Sequence, residues 1–197
     1  MYHLYHTPAF VLGGTSFGEA NKHFTLFTRE LGMISASATS VRAERSKLRY
    51  GLQDFSLSDI TLVRGRERWR ITNATLVEDV FRAFRHSPEA TALFSRVFRL
   101  LRRLLSGEEK NEPLFTTLVY AFSFLQTPEA ASGEHANTEI ILVLRILYLL
   151  GYLAPRTEFS PFISDLLLWD DALVKRAGKL RALALADINH SLRQTQL

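Results

Sequence analysis

The sequence predicts an α+β chain in which a small closed barrel of five strands precedes an all-α helical domain. Three observations carry that prediction. The first ~75 residues break into five short runs with alternating apolar positions and glycine-bearing turns between them, as small barrels require. From Val77 the apolar period becomes that of helices. With 197 residues, 47% of them hydrophobic and 22% charged, the chain suits one large or two small domains with ample core. The boundary falls between 1–76 and 77–197. An OB-fold is the commonest five-stranded barrel, although the strands by themselves leave an SH3-like barrel open.

Tyr5 to Thr15 reads as the first strand, its end marked by Gly13-Gly14, and Ser16-Phe17-Gly18-Glu19 as a turn. Phe24 to Gly51 is the stretch that organises the chain. Phe24, Leu26 and Thr28 alternate as in a half-buried strand. Arg29-Glu30-Leu31-Gly32 reverses the chain, Gly32 supplying a positive φ that other residues resist. Met33 to Val41 follows, built of small and β-branched residues, and then a loop carries Arg42, Arg45, Lys47 and Arg49. In Leu52 to Val63, Leu52, Phe55, Leu57, Ile60 and Leu62 share one face, with a bulge expected near Asp54. Arg64-Gly65-Arg66 turns into a fifth strand, Trp69 to Leu76.

The helical half opens at Ser87-Pro88-Glu89, which supplies an N-cap, a proline at the first helical position and an acid in the first turn. Leu93, Phe94, Val97, Leu100, Leu101, Leu104 and Leu105 make a wide apolar stripe up to Gly107, with Arg96, Arg99 and Arg103 aligned opposite. Pro113 to Gln126 is apolar almost all round and should be central. After a polar linker, Pro128 to Asn137, Thr138 caps a helix that ends at Leu150-Gly151, with Pro155 soon after. The apolar run Ile140 to Leu153 is broken by Arg145 and is too short for a bilayer of ~30 Å, so it reads as a core helix. A last helical region runs from Asp171 to about Arg193, with Asp170-Asp171 as its N-cap and dipole complement.

Several of these segments resemble one family. Gly18-Glu19, Leu26-Phe27-Thr28-Arg29-Glu30-Leu31-Gly32, Ser46-Lys47 and Leu52-Gln53-Asp54-Phe55-Ser56-Leu57, in that order, resemble the amino-terminal domain of the RecO family of bacterial recombination mediators. Arg145-Ile146-Leu147-Tyr148-Leu149-Leu150-Gly151-Tyr152 is similar to a helix end of the same family. The resemblance implies an OB-fold for the barrel. There are two departures. The glycine usual near position 40 is Ser40 here, and the four-cysteine zinc module of many members is absent, because the chain has no cysteine. No zinc module, metal or cofactor is therefore carried over.

Charge placement marks the candidate nucleic-acid contacts. Net charge is +4 and the isoelectric point about 9.6, a modest excess that is unevenly spread. Arg42, Arg45, Lys47 and Arg49 have only Glu44 among them, and a one-signed loop suits phosphates through counterion release. Arg64, Arg66, Arg68, Arg70 and Trp69 at the next hairpin tip are the combination with which OB-folds hold single strands. Trp69 has a second reading, since it shares a face with Ile71 and would then pack on the barrel. Arg29, at the first hairpin, completes the expected DNA-binding set. Arg96, Arg99 and Arg103 read more simply as a solvated helix face.

The resemblance further implies binding of single- and double-stranded DNA, annealing of complementary strands and help in loading RecA onto strands coated with single-stranded-DNA-binding protein, usually with RecR. It also implies a dock for the acidic, phenylalanine-ended tail of the single-stranded-DNA-binding protein. Phe115, Leu149 and Tyr152 are expected as its apolar walls, and Arg145, Lys175, Arg176 and Lys179 as its cations; the alternative is that the apolar three are simply helical core, and Leu149 reads more simply that way. Arg145 is the sharpest of these, because a charge in an apolar helix must reach water, a buried acid or a ligand's carboxylate.

The rival is a non-catalytic protein-interaction module with a structural barrel and a partner-binding helical domain. For an enzyme the sequence lacks a nucleophile elbow, a phosphate loop ending in Lys-Ser/Thr, an H-E-x-x-H helix and a dense carboxylate cluster. His3, His6, His23, His86, His135 and His190 fall at no recurring ligand spacing. Without cysteine there is no disulfide framework and no thiolate metal site. Met1-Tyr2-His3 opens no secretory signal, and a cytoplasmic location is expected.

Overall fold

A bend in the first strand makes the barrel. In the computed structural model, which describes residues 3–66, 68–127, 134–154 and 156–195, strand β1 (Leu4–Phe17) pairs antiparallel with two partners. Its first half, Leu4 to Phe10, lies against β4 (Ser56–Arg64), and Ala9 to Phe17 lies against β2 (Asn21–Thr28). The register shifts between Val11 and Gly13, where Gly13 has a φ of 136°. A bulge at a glycine turns the strand from one neighbour to the other.

β3 (Gly32–Ala38) continues the sheet from β2, and β5 (Trp69–Asp79) pairs with β4. A short parallel pairing, Ala36 with Trp69 and Ser37 with Arg70, closes the cylinder in the order β1-β2-β3-β5-β4. This is the OB-like barrel that the sequence predicts. Val11, Phe24, Leu26, Ile34, Ile60, Leu62 and Ile71 fill it, each buried side chain of this size contributing roughly 1.5–3 kcal/mol.

Gly32 does turn the β2–β3 hairpin with a φ of 68°. A second constraint is long-range, since a Cβ there would stand 2.1 Å from the carbonyl oxygen of Glu109.

The structure moves some boundaries. β4 starts at Ser56, because Leu48–Gly51 forms a short helix, α1, and Phe55 takes a φ of 67° before the strand begins. Leu52 instead drops into the barrel core. The bulges lie at Leu57/Ser58 and Thr61/Leu62 rather than near Asp54. β5 runs through Val77 to Asp79, where the Asp79 carboxylate accepts from the Phe81 amide and caps α2 (Val80–Ala83).

The chain divides into two compact units, Met1–His86 with Phe98–Asn111, and Ser87–Val97 with Glu112–Leu197. α3 (Pro88–Leu104) thus contributes to both. In the barrel unit its Phe98 packs on Phe10 and Phe55, ring centroids 5.4 and 5.5 Å apart, and covers an outer face of the sheet.

The helical unit is built on α4 (Glu112–Leu125) and α5 (His135–Leu149). α4 is buried at eight of its positions, as a central helix should be, and its Phe122 meets Phe94 at 5.3 Å. The Ser87 hydroxyl accepts from the Ala90 amide as the expected N-cap of α3. α5 begins before Thr138, whose hydroxyl donates back to the Glu134 carbonyl from inside the helix. A 3-10 turn (Thr157–Phe159) leads into α6 (Ser160–Ile163). The last helical region is two helices, α7 (Asp171–Lys179) and α8 (Arg181–Gln194), and Asp170 caps the first by accepting from the Leu173 amide at 2.7 Å. Glu67, Pro155 and the 128–133 part of the expected linker lie outside the described residues. Among the described residues no helix is long and apolar enough to cross a membrane.

Candidate nucleic-acid interface

Three connections of the barrel meet at one edge. The loop after β3 folds onto the β1–β2 turn, where the Ser40 amide donates to Asn21 Oδ1 at 2.9 Å and the Arg42 amide to the Ala20 carbonyl at 3.0 Å. Ser40 takes a φ of 54°, a conformation that glycine adopts freely, and the Asn21 bond holds it there. The β4–β5 tip joins them through Arg68, whose Nη1 lies 3.2 Å from His23 Nε2 at the start of β2.

Cations line two recesses on this edge. The first, of about 560 Å³, has Lys22, Arg42 and Arg49 around an apolar floor of Val41 and Leu52, with Phe81 at its side and Asp54 as its acid. The second, of about 500 Å³, is lined by Arg64, Arg66, Arg68 and Arg70 with Ser37 and Val63, and no described lining residue is acidic. Arg42, Arg45, Lys47 and Arg49 are exposed and make no ion pair among the described residues, although Arg45 and Lys47 line neither recess. Arg64 is more committed. It pairs with Glu108 and lies 4.7 Å over the Trp69 ring. Cations left without internal acids are available to bind anions.

Two expected members do not join them. Arg29 sits at the far end of β2 from Lys22 and pairs with Glu30 at 2.8 Å. Glu30 also takes Lys110 at 3.0 Å, and hydrogen bonds from Lys110 and then Arg29 hold its carboxyl below the usual value. Trp69 is 4% exposed, set edge-on to Tyr5 inside the barrel, with its indole N–H donating to Glu108. Strand alternation with Ile71 turns it inward, so it has no face to offer a base. Lys22 is the cation the sequence reading missed. Arg70 of the tip alternates with the inward Trp69 and Ile71 and shares the outer face of Arg68.

The helical unit corrects the expected docking set more sharply. Phe115 is 3% exposed and belongs to the core. Arg145 is wholly buried, and backbone carbonyls take its donors. Its Nε donates to the Phe162 carbonyl at 2.7 Å, Nη1 to that of Leu166 at 3.0 Å, and Nη2 to those of Asp165 and Leu168 at 3.0 and 2.8 Å. The Trp169 ring covers it at 4.3 Å. Burial pushes its pKa down to about 10, opposed by the Asp165 charge, so it remains charged at neutral pH. The guanidinium fork organises the chain after α6 by satisfying carbonyls that would otherwise lack donors.

Leu149 is half-buried. Lys175, Arg176 and Lys179 are exposed on α7, Lys175 being tied to Asp171, which raises its pKa. Tyr152 lines a recess of about 740 Å³ beside Tyr148, Arg156 and His190, with Asp187 as its acid. Arg96 is tied bidentately to Glu139, while Arg99 and Arg103 are exposed.

Comparison with known proteins bears on this edge. Residues 1–80 match the family described as Recombination protein O N terminal. The chain is 34% identical over 149 residues to the DNA repair protein RecO of Pelotomaculum thermopropionicum, covering 76% of this chain and 56% of that protein. It is 35% identical over 156 residues to the protein of the same name from Heliobacterium modesticaldum, with 76% and 52% covered. The counterpart from Alkaliphilus metalliredigens is 30% identical over 158 residues, with 80% and 61% covered. The chain spans a little over half the length of these relatives.

Proposed function

Since the chain belongs to the RecO family through its amino-terminal domain, we propose that it acts in recombinational DNA repair as a DNA-binding mediator. The barrel edge would hold single- and double-stranded DNA. The observation that carries this reading is the pair of cation-lined recesses at the β1–β2 turn and the β4–β5 tip, the loops OB-folds use for oligonucleotides.

The mechanism is electrostatic. Phosphates displace counterions on binding Arg42, Arg49, Lys22 and the tip arginines, and two strands held on one cationic edge repel each other less. Complementary bases then pair with no covalent bond made or broken, which is strand annealing without catalysis. Help in loading RecA, and partnership with RecR and with the single-stranded-DNA-binding protein, extend the same reading. For a partner's tail the support now comes from the recess beside Tyr152, with Tyr148 as a second aromatic wall, rather than from Phe115 and Arg145; its cation, Arg156, is already paired with Asp187 at 2.6 Å. A cytoplasmic place goes with work on the chromosome.

Fluorescence anisotropy of a labelled single strand across a salt series tests the reading. The logarithm of the binding constant should fall linearly with that of salt, by about 0.7 for each phosphate contact on a single strand. Binding that is absent, or indifferent to salt, overturns it.

A further inference from the structure

At the barrel edge one exposed aromatic ring lies stacked on a neighbouring side chain. Phe17 ends β1 opposite Asn21, 37% exposed. Its ring lies flat on His23, centroids 3.9 Å apart and planes 11° from parallel. His23 alternates with the inward Phe24 and so stands on the outer face of β2, opposite Ser37, which lines the arginine recess. Arg68 holds the His23 ring by Nε2 at 3.2 Å. Its Nδ1 is buried and has no hydrogen-bond partner among the described residues. The imidazole is thus kept in place by one edge and one face, at the expense of its second nitrogen, and it backs the phenyl ring.

From this we infer that Phe17, backed by His23 and Arg68, is the platform on which an unpaired nucleobase stacks while the neighbouring arginines hold its phosphates. The inference rests on the DNA-binding reading and deepens it. Aromatic rings stack any base face, but a base paired inside a duplex has no face to offer. The charges bind either form of DNA, and Phe17 makes the edge favour single strands. It takes the role for which Trp69, turned into the core, is unavailable.

The test uses the full chain, a labelled dT 20-mer, an abasic 20-mer and a blunt duplex of equal length. Phe17→Ala should weaken dT binding by roughly 5- to 150-fold, the span that base–aromatic stacking covers. It should leave the salt slope, the abasic strand and the duplex unchanged. Phe17→Trp should restore affinity, and its added fluorescence over the unsubstituted chain should be quenched by dT but not by the abasic strand. Unchanged dT affinity in a folded Phe17→Ala chain overturns the inference and leaves the DNA-binding reading standing. So does an unquenched indole at position 17. A loss that falls equally on all three probes also overturns it, because that would be loss of the edge's shape rather than of a stack. If the unsubstituted chain binds none of the probes, the underlying reading fails and this one with it.

Discussion

The arginines of the barrel edge and Arg145 in the helical unit are the same side chain put to opposite uses. Arg42, Arg49, Arg66 and Arg70 stand in water with little acid around them, so their unmet charge is what the surface offers. Arg145 has no surface, and it spends four of its donors on carbonyls of its own chain. A cation in an apolar helix invites a functional reading because an unpaired buried charge is costly. Backbone carbonyls answer that cost as well as a ligand would. The difference between the two kinds of arginine lies in where the acceptors come from, and the residue type says nothing about that.

That contrast can be broken most forcefully at Arg145. Arg145→Met keeps bulk but leaves the buried Phe162 carbonyl and three partly buried ones without their donor, and should cost about 1–3 kcal/mol in urea unfolding. DNA affinity of the remaining folded protein should not move. A variant as stable as the parent would mean that the carbonyl network contributes nothing.

At the barrel edge the signature should be reversed. Replacing Arg42 and Arg49 together by Ala should flatten the salt dependence of single-strand binding by about 1.4 in log–log slope, about 0.7 per contact. Stability should stay within about 0.5 kcal/mol, as for exposed positions generally. Arg29→Ala is the matched control, being engaged by Glu30 at the other end of β2, and it should leave the slope alone. A slope that responds to Arg29 but not to Arg42 and Arg49 would move the DNA path to the opposite end of the barrel.

Two smaller effects sharpen the comparison without touching the cations. Ser40→Gly relieves the left-handed backbone at the loop's start and should stabilise the protein by up to about 1 kcal/mol in thermal or urea unfolding. A loss instead would show that the serine contributes contacts worth more than its strain. Glu30 offers a pH test. Its folded carboxyl sits below the ordinary value of 4.5, so its stabilisation is complete above that value and fades as pH falls through the lower folded one. Both partners are substantially exposed, so only a few tenths of a kcal/mol are expected. Glu30→Gln should remove that part of the acid-side slope of stability, and an unaltered slope would assign it to other carboxylates.

The sequence by itself determined the features that short-range chemistry controls. Five strands were legible from alternation, the β2–β3 reversal from Gly32, and two helix starts from Ser87 and Asp170, because a strand face, a left-handed turn and an N-cap each depend on residues within a few positions. Only the tertiary structure decided what lies across from each face. Alternation put Trp69 and Ile71 on one side, and barrel closure made that side the inside. Residues 98–111 rejoin the barrel unit, placing the Glu109 backbone against Gly32 and the Glu108 carboxylate on Trp69 and Arg64, pairings that local periodicity does not contain. Arg145 found its acceptors 17 to 23 residues away in a stretch with no regular pattern. Hydrogen-bond partners and ring contacts of that kind are made across space by the closed chain, and so the edge that gathers Lys22, Arg42, Arg68 and Phe17 exists only once the barrel has shut.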